Sequence, residues 1–155
     1  MRGRAVFYLD SSALVKRYLP EPGTRWVRHI SATASIAMAE FSIVEVASAL
    51  ARRVRMGDLD PRLCDDLLEA FLQDVEGYSV LSPNRGTVLL AVELTRRHPL
   101  RAYDALQLAT ALQLADALRS ESFSLTFVSA DERLCAAAEQ EGLPTVNPNS
   151  VANAG

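Results

Sequence analysis

Cysteine, histidine and lysine are almost missing from this sequence. Its 155 residues hold two cysteines, two histidines and a single lysine, Lys16, among sixteen basic side chains. Cys64 and Cys135 lie far apart and outside any CxxC pattern. That excludes a disulfide framework and a thiolate zinc site, and it suits a reducing, cytoplasmic setting. His29 and His98 form neither HExxH nor HxH, so chemistry built on paired histidines lacks its residues. GxxxxGK[ST], GxGxxG and GxSxG are also absent, which removes the footing for nucleoside triphosphate, dinucleotide and acyl-transfer readings.

Long apolar runs are missing too. The stretch from Ala102 to Leu118 is interrupted by Asp104, Gln107, Gln113 and Asp116, and the opening MRGRAVFYLD lacks an apolar core with a small-residue cleavage site. Neither a membrane span nor a signal peptide is expected. No charge excess stands out, since the formal net charge is −3, so no global positive field points to nucleic acid or an anionic membrane. Arginine supplies fifteen of the sixteen basic residues. Clusters such as Arg52, Arg53 and Arg55, or Arg96 and Arg97, are able to hold phosphate bidentately or simply to solvate a helix face.

What remains is an ordinary globular composition, 49% hydrophobic and 23% charged. One domain over residues 1–147 is expected, with residues 148–155 (PNSVANAG) as a flexible tail. The chain opens with a short apolar run, Ala5 to Leu9, that reads as a buried strand, followed by a helix over SSALVKRYL stopped by Pro20 and Pro22. SIAM, GYSVL, SLTFV and LPTV are further strands. Between them lie helical stretches: GTRWVRHISAT, EFSIVEVASALARRVRMG, one opened by Asp60–Pro61, Thr87 to Arg97, Ala102 to Leu118, and SADERLCAAAEQEG. Alternation of this kind predicts an α/β fold, a three-layer sandwich with a central parallel sheet of four or five short strands flanked by helices.

Four acids occupy awkward places. Asp10 ends the first strand and Asp131 follows FVSA after another, and the carboxyl ends of parallel strands are where open α/β sheets bind ligands. Either acid alone is explained equally well as a helix N-cap. Asp104 shares a helical stripe with Leu108, Ala111 and Ala115 in a helix apolar on nearly every side. The helix dipole favours an acid there by roughly 0.3 to 1 kcal/mol, too little to offset several kcal/mol of desolvation. A cleft, or a salt bridge to Arg101, would account for it. Glu45 points away from the stripe of Ile43, Val46, Ala47, Leu50 and Val54, on a face with Phe41, Ser48 and Ala49. Such a face is either solvated or closely approached. Together the four acids form an oxygen-donor set suited to a hard divalent cation, whose charge would relieve their mutual repulsion.

YLDSSALVKRYLPEPGT, SIVEVASALARR, HPLRAYDALQLATAL and FVSADERL, taken in order, resemble the PIN-domain nucleases, specifically the VapC-type toxins of toxin–antitoxin pairs. The likeness spans nearly the whole chain. It implies a PIN-like fold, Mg²⁺- or Mn²⁺-dependent endoribonuclease activity on RNA, a homodimer, and inhibition by a cognate antitoxin protein. Position by position it makes Asp10, Glu45, Asp104 and Asp131 the catalytic, metal-binding acids, with Ser12 and Ser129 as supporting hydroxyls. Arg101 is a candidate for the substrate phosphate. Two other readings stay open: a PIN nuclease that processes RNA without being a toxin, and a non-catalytic module with an acidic pocket. A phosphotransfer hydrolase with Asp10 as nucleophile is disfavoured, because Ser12 stands where such enzymes usually carry a second acid.

Overall fold

A short apolar run makes a strand only where both faces of the sheet are covered, and this is how the chain uses Ala5 to Leu9. In a computed structural model describing residues 4–151, β1 (Arg4–Leu9) lies at the centre of a sheet. It pairs in parallel with β2 (Ser35–Ala39) on one side and β4 (Phe123–Val128) on the other. β3 (Ser79–Leu81) extends the sheet beyond β2, and β5 (Thr145–Val146) extends it beyond β4. The order is β3-β2-β1-β4-β5, all parallel.

Successive strand residues face opposite ways, so each strand feeds two cores. Val6 and Tyr8, Ala37 and Ala39, and Leu125 and Phe127 meet α5 (Arg85–Arg97), α6 (Ala102–Leu118) and α7 (Glu132–Gln140). Leu9, Ile36, Met38 and Val128 face the other layer, built from α1 (Ser11–Leu14), α2 (Thr24–Thr33), α3 (Ser42–Arg55) and α4 (Pro61–Val75). This is the three-layer sandwich, with five strands.

Local chemistry sets the helix ends. Asp60 caps α4 by accepting from the backbone N–H groups of Arg62 and Leu63, with Pro61 at the first helical position. Asn84 and Thr87 form a reciprocal capping box, so α5 begins at Arg85 and Thr87 is its third residue rather than its first. The first helix is shorter than the apolar pattern suggests. After Leu14 it tightens into a 3-10 turn, Val15–Arg17, whose period of three stacks Val15 over Tyr18, both buried.

The expected tail begins instead with a short helix, α8 (Pro148–Val151), whose Pro148 is buried. Gly23 explains the fit: it takes φ +88°, and a Cβ there would come within 2.6 Å of the Pro148 carbonyl oxygen. The last four residues lie outside the described residues. No described helix is long and apolar enough to cross a membrane.

Candidate active site

The strand order changes direction at β1: β2 and β3 add to one side, β4 and β5 to the other. Between β1 and β4 the connections diverge and leave a crevice above the carboxyl ends, the usual ligand position in open α/β sheets. Asp10 follows β1 there, and Asp131 follows β4.

Asp10 is 4% exposed. Both its oxygens are held. Oδ1 accepts from Ser12 Oγ at 2.6 Å and the Ala13 N–H at 3.0 Å, and Oδ2 accepts from Ser129 Oγ at 2.5 Å. The two hydroxyls also lace the strand ends together, because Ser12 Oγ accepts from the Ala130 N–H and Ser129 Oγ accepts from the Asp131 N–H. No cation pairs with this carboxylate among the described residues. Burial raises its pKa from 3.8 to about 6 and Asp104 adds to the rise, while the three hydrogen bonds oppose it.

Beside Asp10, which does not itself line it, opens a cleft of about 1240 Å³ whose walls include Ser11, Glu45, Asp104 and Asp131. Asp104, half-buried on the first turn of α6, has its pKa raised by desolvation and then by Asp131 and Glu45, against a smaller lowering by Arg101. Arg101 makes no ion pair with it within 4.0 Å, so proximity rather than a salt bridge links them. Asp131 is exposed and does two jobs. Its Oδ1 caps α7 through the Arg133 and Leu134 N–H groups, while Oδ2 has no protein partner among the described residues. The capping explanation therefore holds without excluding the other.

Glu45 faces the cleft rather than open solvent, on the small-residue face with Ser48 and Ala49. Its Oε2 accepts from Ser11 Oγ at 3.0 Å, and its Oε1 accepts from Gln107 Nε2 at 3.1 Å. Gln107 also donates to Ser42 Oγ at 2.7 Å and accepts from Tyr8 Oη at 2.7 Å. Tyr8, Gln107 and Ser42 are buried, and this chain reaches from the sheet core to the cleft wall.

Sequence reasoning missed Ser11, Ser42, Gln107 and Tyr8. Gln107 was visible as an amide in an apolar helix, three residues after Asp104 and so on its face. Its partners come from α3 and β1 and leave no local trace. Gln107→Ala should lower the unfolding free energy in urea by about 2–4 kcal/mol, since it leaves a cavity and strips Tyr8 Oη, Ser42 Oγ and Glu45 of partners.

The family model for the PIN domain matches residues 7–140. The chain belongs to the PIN domain family. PIN domains are nucleases that generally use divalent metal ions. Similar solved structures include FitAcB from Neisseria gonorrhoeae, 18% identical, with a TM-score of 0.67 and coverage of 92% of this PIN domain chain and 97% of the other. A toxin–antitoxin complex from Klebsiella pneumoniae is 15% identical, with a TM-score of 0.59 and coverage of 91% and 96%. VapC20 of Mycobacterium tuberculosis, a sarcin–ricin-loop-cleaving toxin, is 15% identical, with a TM-score of 0.60 and coverage of 84% and 94%. At such identities the likeness describes the fold. No curated protein sequence matches the chain.

Proposed function

We propose that this PIN domain is an Mg²⁺- or Mn²⁺-dependent endoribonuclease and the toxin of a toxin–antitoxin pair, acting on RNA in the cytoplasm. One observation carries the reading: a buried carboxylate, Asp10, stands at the switch point of the sheet with hydrogen-bond donors around it and no cation paired with it among the described residues. Glu45, Asp104, Asp131 and Glu132 line the adjoining cleft together with Arg52, Arg101 and Arg133, so with Asp10 the site keeps an excess of negative charge, and its metal-ligating atoms are hard oxygen donors. That donor set fits a divalent ion. Among the described residues no three acids are gathered closely enough around one point to hold an ion between them, so the reading requires one or two carboxylates with waters completing the shell.

Asp10 and Asp104 would hold the main ion, and Asp131 and Glu45 would serve as outer ligands or hold a second ion. Ser12 and Ser129 keep Asp10 fixed, as outer partners of metal ligands do. Held by these residues, a divalent ion would supply an activated water and would offset charge on the departing oxygen. Arg101 would draw the substrate phosphate over the acids, and attack by water in line would leave a 5′-phosphate and a 3′-hydroxyl. Family membership supports the nuclease part. The toxin and antitoxin parts draw on the Klebsiella and Mycobacterium structures; the homodimer and the single catalytic domain over residues 1–147 rest on the resemblance of the sequence motifs.

The test is incubation of the purified protein with total RNA and Mn²⁺ or Mg²⁺, with and without EDTA, and sequencing of the ends. Cleavage confined to the metal-loaded samples, with the ends named above, is expected. Undiminished cleavage in EDTA would overturn the metal assignment. Growth arrest on induction, absent when Asp10→Asn is induced instead, is the expected sign of the toxin role.

A further inference from the structure

The cleft is not uniformly polar. Tyr103, immediately before Asp104, is 61% exposed and lines it, and no hydrogen bond to its hydroxyl occurs among the described residues. Its ring centroid lies 6.0 Å from that of Phe41, with the planes tilted by 42°. Phe41 is half-buried, packs on the core beneath the sheet, and stands one turn before Glu45. The Tyr103 ring thus rests against Phe41 with much of its surface open to solvent in the cleft that Glu45, Asp104 and Asp131 also line. Arg52, Arg101 and Arg133 rise around the same cleft, all exposed and without an ion-pair partner among the described residues.

A tyrosine ring open to solvent beside charged groups presents a free π-face to whatever enters the cleft. The surroundings narrow what that is. Guanidinium groups beside an open aromatic surface match a nucleic-acid strand, whose phosphates and bases alternate, and stacking on tyrosine takes any base because every base has a π-face. Bases inside a duplex already have both faces covered, and the A-form major groove is too deep and narrow for side chains to read. Away from a duplex end, only an unpaired base can lie on Tyr103.

We infer that Tyr103, braced by Phe41, is a stacking platform for one unpaired RNA base next to the cleaved phosphodiester, with Arg52, Arg101 and Arg133 receiving the neighbouring phosphates. The inference rests on the nuclease reading and adds to it a subsite and a substrate requirement: a single-stranded segment or open loop, with a purine favoured at one position because its larger ring system covers more of the tyrosine. The platform binds; it moves no proton and touches no reacting atom.

Short single-stranded RNAs carrying one abasic residue at successive positions, cleaved in Mn²⁺, test it. With wild-type protein, one abasic position beside the cleaved bond should raise KM about tenfold, a typical stacking effect. Tyr103→Ala should raise KM about tenfold on the intact RNA with kcat within about twofold, the mark of lost uniform binding. It should also erase the penalty at that one position and keep those at the others, whereas Tyr103→Trp should retain the wild-type pattern. An unchanged KM for Tyr103→Ala, or an equal loss at every position, overturns the platform while RNA cleavage stands. Should wild-type protein cleave none of the RNAs, an oligonucleotide containing 2-aminopurine decides. Quenching of its fluorescence by wild type and not by Tyr103→Ala supports the platform with the cleavage reading gone, and no quenching by either overturns both.

Discussion

Metal-free Asp10→Asn protein should unfold at a higher urea concentration than wild type near neutral pH, and in Mn²⁺ the same variant should cleave RNA more than about a hundredfold more slowly than wild type, beyond the 10–100-fold typical of losing an outer-shell partner. The two effects oppose each other for one reason. Asp10 is almost fully buried and has no cationic partner among the described residues, so in the absence of metal its charge is a burden on the fold. Asparagine keeps an oxygen to accept from Ser12 and the Ala13 N–H, and removes the charge. The gain is partial, because the amide nitrogen now meets Ser129 Oγ, which donates to Asp10 Oδ2 in the wild type. A net stabilisation of about 1–2 kcal/mol is expected. Added Mn²⁺ should stabilise wild type and leave the variant unmoved; at a hundred times the dissociation constant the shift is about 2.7 kcal/mol. A variant less stable than wild type, with activity intact, would show that Asp10 is only a helix cap.

Stability of the metal-free protein should fall as pH rises between about 4 and 6, the opposite of the behaviour of a salt-bridged carboxylate. The folded protein holds the Asp10 proton with a pKa of about 6, against 3.8 for the ordinary side chain. Folding therefore favours the protonated form. The stability this confers is complete below the unfolded value and is lost as pH climbs through the folded one, by on the order of 3 kcal/mol. Asp104, also raised, adds in the same direction. Urea denaturation at stepped pH checks it, and Asp10→Asn isolates the group: the two curves should cross near pH about 5, with wild type the more stable below and the variant the more stable above. Saturating Mn²⁺ at neutral pH should return much of what wild type loses, because the ion takes the place of the proton.

Much of the architecture was legible because it is written in short-range chemistry. A strand buried on both faces must be a continuous apolar run, as β1 is, and Asp60–Pro61 starts a helix wherever it occurs. The first helix was overextended because the apolar spacing after Leu14 suits a 3-10 turn as well as an α-helix, and packing of Val15 and Tyr18 chose between them.

The sequence by itself determined the parts: alternating strands and helices, two acids just beyond strand ends, a third in an apolar helix, and the absence of every competing set of reactive groups. These depend on neighbours within about four residues along the chain, where periodicity and capping operate. Only the tertiary structure decided that β1 lies beside β4 and so brings Asp10 and Asp131 to one crevice, since an apolar strand does not encode which strand it will pair with. Burial of the whole sheet settles that. The same holds for Glu45, whose small-residue face is solvated or enclosed depending on what α6 places opposite. It holds also for Gln107, whose partners, Tyr8, Ser42 and Glu45, are 62 or more residues away in the chain and a hydrogen bond away in the fold.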